Sequence, residues 1–272
     1  MSFTEHNVNG LIYDTADGLS AAGGVRHAFS TRLGGVSPAP FDSLNFFERN
    51  GDEPENVYAN YRLLGEAAGL DMSRAVGTRQ VHGDTVKLIC ERDAGRLAYD
   101  ARPYDADALL TDVPGLPLVA FSADCCTVLL YDPVRRCAGA VHAGWKGTAL
   151  GVAHRAALTM AEAYGSDPAD IRAALGPSIG ACCFETDGDV PEALLRGFGD
   201  DAQRFIERRG DKFHIDLKGA NRAWLLRAGL SKTHIEIHPD CTACRLDRYW
   251  SHRKLGARRG GQIAVIALEA GV

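Results

Sequence analysis

The sequence has no long apolar run. No stretch of about 18 apolar residues occurs in its 272 residues, which excludes a transmembrane helix. It also lacks a strong charge of one sign: 30 Lys and Arg stand against 35 Asp and Glu, a formal net charge of -5. Nucleic-acid binders tend to be basic, so no electrostatic footprint for nucleic acid is present. The opening residues, Met1 to Gly10, have no basic segment followed by an apolar one, so no secretory leader is expected. Internal repeats, low-complexity tracts and linker-like segments are missing as well. What is present is ordinary for a globular protein, with 46% hydrophobic and 24% charged residues. The expectation is one domain over residues 1–272, located in the cytoplasm, as a monomer or small homo-oligomer. Without a leader, the eight cysteines read as thiols, metal ligands or buried small side chains rather than a disulfide framework.

Val25-Arg-His-Ala-Phe-Ser30 alternates apolar and polar residues and reads as a strand. Thr31 to Ser37 follows as a glycine-bearing turn. Pro54 to Leu70 predicts an amphipathic helix: Asp52 is placed to cap it, and Val57, Tyr61, Leu64 and Ala68 share one face. Apolar runs bounded by turn residues predict strands over 85–89, 108–110, 118–121, 127–131, 138–141, 171–175, 234–237 and 262–268. Helices are predicted over 148–164, 190–197 and 220–228. Strands and helices mix without regular alternation. That pattern predicts an α/β (α+β) fold with a large mixed sheet covered by helices.

Three glycine-flanked turns at strand ends carry potential metal ligands: Gln80-Val-His-Gly83, Ser122-Ala-Asp-Cys-Cys126 and Val141-His-Ala-Gly-Trp-Lys-Gly147. Imidazole and thiolate suit zinc, and two His with one Cys would leave a fourth position open, the catalytic pattern. The spacing also fits a buried Cys125, a hydrogen-bonded His82 and a His142 at a helix entry. Asp124 either orients a neighbouring histidine or caps a turn. Trp145 and Phe184 either stack on a ligand or belong to the core. Gly144 to Gly147 opens the predicted helix, where free N–H groups and Lys146 suit an anion. Arg253, Lys254, Arg258 and Arg259 are either a solvated loop or an anion-binding lip.

These motifs form a series. With the three turns go Ala106-Asp-Ala-Leu-Leu110, Val128-Leu-Leu-Tyr-Asp-Pro133, Leu175-Gly-Pro-Ser-Ile-Gly180 and Cys183-Phe-Glu185. Cys241-Thr242, Ser251-His-Arg253, Phe29 to Ser37 and Ser43-Leu-Asn45 belong to it too. The series resembles, from about Val25 to Leu268, the family first described as multicopper polyphenol oxidase or laccase-domain proteins. Its members were later described as zinc-dependent purine nucleoside phosphorylases that also deaminate adenosine, and it is also known as peptidoglycan editing factor.

The resemblance implies an α/β/β/α layered fold, one catalytic Zn2+ held by His82, Cys125 and His142, and substrates of the purine nucleoside class with phosphate. Adenosine, inosine, guanosine and methylthioadenosine would give free base and ribose 1-phosphate, with adenosine deamination at the same site. Substrate-side candidates are Arg32, Asn45, Lys146 and Arg253. Asp124, then Glu185, is the expected acid–base group. Copper fits poorly, because the nine histidines do not cluster in His-x-His pairs.

Three departures bear on the substrate. Lys146 stands where arginine is common and loses the bidentate fork. Cys126-Thr127 replaces a more usual apolar–proline pair. Gly260-Gly-Gln262 replaces Gly-Arg-Gln, leaving Arg258 or Arg259 to supply the charge from a shifted position.

Of the remaining cysteines, Cys126 is assigned to the core, and Cys182 and Cys183 to packing or the site wall. Cys241-Thr-Ala-Cys244 is a lone pair. A structural zinc site would need a second pair, and Cys182-Cys183 has the wrong spacing, so reduced thiols are expected. Competing functions are a cysteine-type amide hydrolase acting on peptidoglycan precursors, with Cys125 as nucleophile and His142 as base, a copper-dependent phenol oxidase, and a non-catalytic metal-binding protein.

Overall fold

Along the strand Gln262–Leu268, Ile263, Val265 and Ala267 face one buried layer while Ala264, Ile266 and Leu268 face another. A strand alternates its side chains between two faces, so burial of both demands a packed layer on each side. The computed structural model, which describes residues 2–98 and 101–271, supplies both layers.

The first sheet has five antiparallel strands in the order β1 (Phe3–Val8), β2 (Leu11–Ala16), β3 (Val25–Ser30), β14 (Gln262–Leu268), β6 (Leu118–Ser122). The second has six, in the order β13 (Ile235–Ile237), β9 (Arg172–Leu175), β7 (Cys126–Asp132), β8 (Cys137–Ala143), β5 (Ala108–Thr111), β4 (Val86–Leu88). It is mixed: β13 runs parallel to β9 and β4 to β5, and the other pairs are antiparallel.

Phe29, Leu118 and Ile266 of the first sheet pack against Leu109, Leu129 and Ala140 of the second. The outer face of the first sheet meets α2 (Pro54–Ala68) through Val57, Tyr61 and Leu64. The outer face of the second meets α4 (Val152–Tyr164) through Val152, Ala156 and Met160, together with Leu225 of α6 (Leu217–Arg227). The layers therefore run α/β/β/α, with two sheets where the periodicity suggested one large one. A small third sheet, β10 (Glu185–Thr186), β12 (Lys212–Ile215) and β11 (Ile206–Arg209), packs with α5 (Asp189–Phe198) around Phe184, Leu194 and Phe205. Two short helices complete the set named here, α1 (Asp17–Ala22) and α7 (His252–Leu255).

Two local expectations change. The helix expected over 148–164 begins earlier, as α3 (Trp145–Leu150), and breaks at Gly151, whose φ of 80° is the left-handed conformation that glycine adopts freely. Asp52 does not cap α2. Its carboxylate accepts hydrogen bonds from Ser37 Oγ (2.6 Å) and Asn45 Nδ2 (2.9 Å) and pins the 37–45 loop instead.

Candidate metal centre and its cavity

Three loops converge where the two sheets meet at one end. His82 sits in the loop before β4, Cys125 in the turn between β6 and β7, and His142 near the end of β8. The Nδ1 or Nε2 atoms of His82 and His142 and the Cys125 Sγ all lie within 4.8 Å of one another, with Cys125 Sγ 4.0 Å from His82 Nε2. The two imidazole rings meet edge to face at 4.8 Å.

The backbone is shaped to bring these atoms together. His82 and Asp124 both have positive φ, 61° and 87°, which throws the neighbouring side chains out of the sheet direction. Gly144 closes the cluster from behind: a Cβ there would stand 2.8 Å from His82 Cδ2 and 3.1 Å from Cys125 Sγ. Gln80 anchors the first loop by pairing its side-chain amide with the backbone of Phe121, Nε2 donating to O (2.9 Å) and Oε1 accepting from N (2.7 Å).

Asp107 organises two of the three donors. Its buried carboxylate accepts from His142 Nδ1 (2.8 Å) and from the backbone N–H groups of His82 (3.0 Å) and Gly83 (2.7 Å). Binding Nδ1 fixes the ring so that Nε2 faces the cluster, the arrangement common behind metal-bound histidines. Burial pushes the Asp107 carboxyl up, but these donors outweigh it and hold it below the usual carboxylate range. Burial likewise opposes charge on Cys125 and on His142, but each stabilises the other's ion. The Cys125 thiol, which His82 also assists, falls to about 6, and His142, which Asp107 also holds, rises. A low-pKa thiolate beside imidazoles is the donor chemistry a soft divalent ion selects.

The cluster lies in the wall of a cavity of about 600 Å³. The cavity is lined by Phe47, Phe121, Trp145, Ile179 and Phe184 and by Arg102, Arg253 and Arg259, with Arg102 over the Phe121 ring (4.1 Å) and Arg259 over the Phe47 ring (5.2 Å). Arg259 is half-buried, and its Nε has no hydrogen-bond partner. Arg253 stands over the Phe184 ring and donates to the Glu185 carbonyl (2.8 Å). This is the size and mix of surfaces expected of a small-molecule site.

Residues 26–269 match the family model described as multi-copper polyphenol oxidoreductase laccase. The chain belongs to this family. Relatives of this laccase-like family include the purine nucleoside phosphorylase YlmD of Geobacillus stearothermophilus. It is 34% identical over 241 residues, which cover 87% of this chain and 88% of that protein. The purine nucleoside phosphorylase YfiH of Escherichia coli K12 is 34% identical over 232 residues, covering 85% and 89%. The crystal structure of YlmD from Geobacillus stearothermophilus superposes with a TM-score of 0.91 at 30% identity, covering 98% of both chains.

Not every residue that the laccase-like pattern brought forward reaches the cavity. Arg253 lines it, as does Arg259. Arg32 is turned away: it stacks on Trp250 at 3.9 Å and donates to the carbonyls of Asp42 and Leu246. Asn45 is fully buried and holds Phe47, Asp52 and Gly261 in place. Lys146 is exposed on α3, with its Nζ 5.4 Å from the Trp145 ring.

Asp124 lines the cavity, but its carboxylate orients no histidine. It accepts from Thr242 Oγ1 (2.6 Å), Ser251 Oγ (3.1 Å) and the Arg253 N–H (2.7 Å), tying the cysteine turn to two later loops. The carboxylate behind the histidine is Asp107, which the sequence placed in a motif without a role. Glu185 carries its carboxylate toward His214 (3.5 Å) rather than into the cavity.

Proposed function

We propose that the chain is an enzyme: a zinc-dependent purine nucleoside phosphorylase that also deaminates adenosine at the same centre. One observation carries the reading. A three-donor cluster, His82, Cys125 and His142, opens into a cavity lined by aromatic rings, three of which carry an arginine over them. The names borne by its relatives support the substrate class. Two imidazoles and a thiolate fit zinc with one position left open. Copper with this donor set takes a weak axial ligand such as methionine or glutamine; Met72 and Met160 are buried in the core away from the cavity, and the Gln80 amide is paired with the Phe121 backbone.

When bound, zinc supplies Lewis-acid polarisation of a substrate oxygen or of water. The remaining work falls to the protein. Asp107 fixes His142 in one tautomer. Arg259 and Arg253 hold phosphate, whose oxygen attacks the anomeric carbon while the bond to the purine nitrogen breaks and its electron pair leaves with the base. Phe47, Phe121, Trp145 and Phe184 give the planar base apolar surface. Lys146, Arg32 and Asn45 take no part in substrate contact. The chain works as a single domain in the cytoplasm, as a monomer or small homo-oligomer.

The test is chromatography of adenosine, with and without phosphate, incubated with full-length zinc-loaded protein. Adenine release that requires phosphate, with hypoxanthine or inosine from deamination, and that disappears in Cys125→Ala, supports the proposal. Zinc-loaded protein that turns over no nucleoside overturns it.

A second reading has its own observation: Asp107, His142 and Cys125 line up as carboxylate, base and thiolate, an amide-hydrolase arrangement. It requires the metal-free protein to be the active form. Activity on peptidoglycan-precursor amides that rises when zinc is stripped would favour it.

A further inference from the structure

Far from that cluster in sequence lies another. Cys182 and Cys183 occupy one turn, between Gly180 and Phe184, and Cys241 and Cys244 occupy a second turn some 60 residues later. The two turns are joined by a bridge between Ser178 and Cys241 and by the Thr242 N–H donating to the Ser178 carbonyl (3.1 Å). The fold therefore supplies the second cysteine pair that the lone Cys-x-x-Cys lacked. The spacing argument against Cys182-Cys183 fails because tertiary contact, not sequence distance, brings the sulfurs together.

All four Sγ atoms lie within 4.8 Å of one another; Cys244 Sγ is 3.6 Å from Cys182 Sγ and 3.4 Å from Cys183 Sγ. A disulfide needs sulfurs about 2.05 Å apart, and none of the four is so paired. Thiolates about 2.3 Å from a common tetrahedral ion stand roughly 3.8 Å apart, which is the spacing range seen here. A multi-iron cage would hold its thiolates further apart. The Gly180 N–H donates to the Cys241 sulfur (3.1 Å), the kind of backbone donor that supports a metal-bound thiolate.

We propose that Cys182, Cys183, Cys241 and Cys244 bind a second metal ion, a structural zinc in a closed four-thiolate site. The ion staples two loops at the cavity rim. Ile179 and Phe184, which line the cavity, flank the first cysteine pair, and Thr242, which holds Asp124, lies within the second. Cys182 and Cys244 are exposed, so the ion is reached from solvent rather than through the cavity.

The experiment uses full-length Cys125→Ala protein, purified reduced and without chelator, so that the open cluster has lost its thiolate. Expected are one zinc per chain by mass spectrometry of the metal, four thiols that react with Ellman's reagent only after chelation, and, on cobalt exchange, the intense visible and near-ultraviolet absorption of tetrahedral cobalt tetrathiolate. Adding Cys244→Ser or Cys182→Ser should drop the zinc content well below one and expose the remaining thiols, with circular dichroism unchanged. A zinc-free Cys125→Ala protein whose four thiols react at once, or are found as disulfides, overturns the proposal. So does a Cys244→Ser protein that keeps its ion with the same cobalt spectrum. Should both serine variants fail to fold, the cobalt spectrum of Cys125→Ala decides: four thiolate ligands support the site, and nitrogen- or oxygen-dominated ligation overturns it.

Discussion

The two donor clusters share little beyond sulfur. One offers two imidazoles and a single thiol, faces a cavity and has a buried carboxylate behind it. The other offers four thiols, sits at the rim and is backed by a backbone N–H rather than a carboxylate. Three donors leave a coordination position for chemistry, and four leave none. A protein can thus carry two sites for the same ion and use one for reactivity and the other for shape.

The comparison breaks most sharply at the donors. Cys125→Ala should reduce nucleoside turnover to background while the rim cluster keeps its metal, measured by chromatography alongside metal analysis. Loss of both ions in that variant would mean that the clusters are not independent. Asp107→Asn should cost about 10–100-fold in zinc affinity or activity, the range typical for a carboxylate behind a metal-bound histidine. Competition with a chelator reads the affinity directly. Arg259→Met should raise the phosphate KM roughly tenfold, the loss of one charge-assisted contact, while Lys146→Ala leaves it unchanged. An equal effect at both positions would put the anion elsewhere.

A pH experiment sharpens the electrostatic side. The Cys125 pKa is lowered to about 6, so in zinc-free protein its thiolate is present above that pH and lost below it. Alkylation of Cys125 by iodoacetamide should therefore rise with pH through about 6, where an ordinary thiol would rise near 8.5. Zinc should suppress the reaction across the range. The smallest effect is expected at the rim. Cys244→Ser should lower the melting temperature by a few degrees, about 2–4 °C for each kcal/mol lost in a chain of this size. A chelator should erase the difference between variant and parent.

Strands set off by turn residues were legible in the sequence whether fully buried, as Gln262–Leu268 is, or largely uncovered, as Val86–Leu88 is. Gln262–Leu268 and Val25–Ser30 match their expected bounds, the first as a continuous apolar run and the second by its alternation of apolar and polar residues. The hairpin of β1 and β2 was not read, since Phe3–Val8 is largely polar and exposed at the sheet edge. Its signal was present in Asn9-Gly10, the dipeptide suited to a tight hairpin, and both residues have positive φ. The two-sheet stacking came from family resemblance, because periodicity reports that a strand is buried but not which strand lies across from it.

At the site, the resemblance picked out the three donors that the structure gathers. Asp107 and the rim cysteines escaped for one reason. Their partners are chosen by tertiary contact, which spacing along the chain does not encode. Arg32 and Asn45 were expected on the substrate side; they hold turns instead, Arg32 through the carbonyls of Asp42 and Leu246 and Asn45 through Asp52 and Gly261.

The position of β14 has a consequence for how the molecule is made. It lies in the interior of the first sheet, between β3 and β6, yet it follows Ser30 by more than 230 residues. At about 5–20 residues per second on the ribosome, β3 waits on the order of tens of seconds for its neighbour. During that interval the apolar edges of β3 and β6 are open templates for pairing with another chain. The sheet whose edge strand β6 leads into the Cys125 turn is complete only after synthesis has passed residue 268, so a nascent chain stalled before that point leaves β3 and β6 without the strand that joins them.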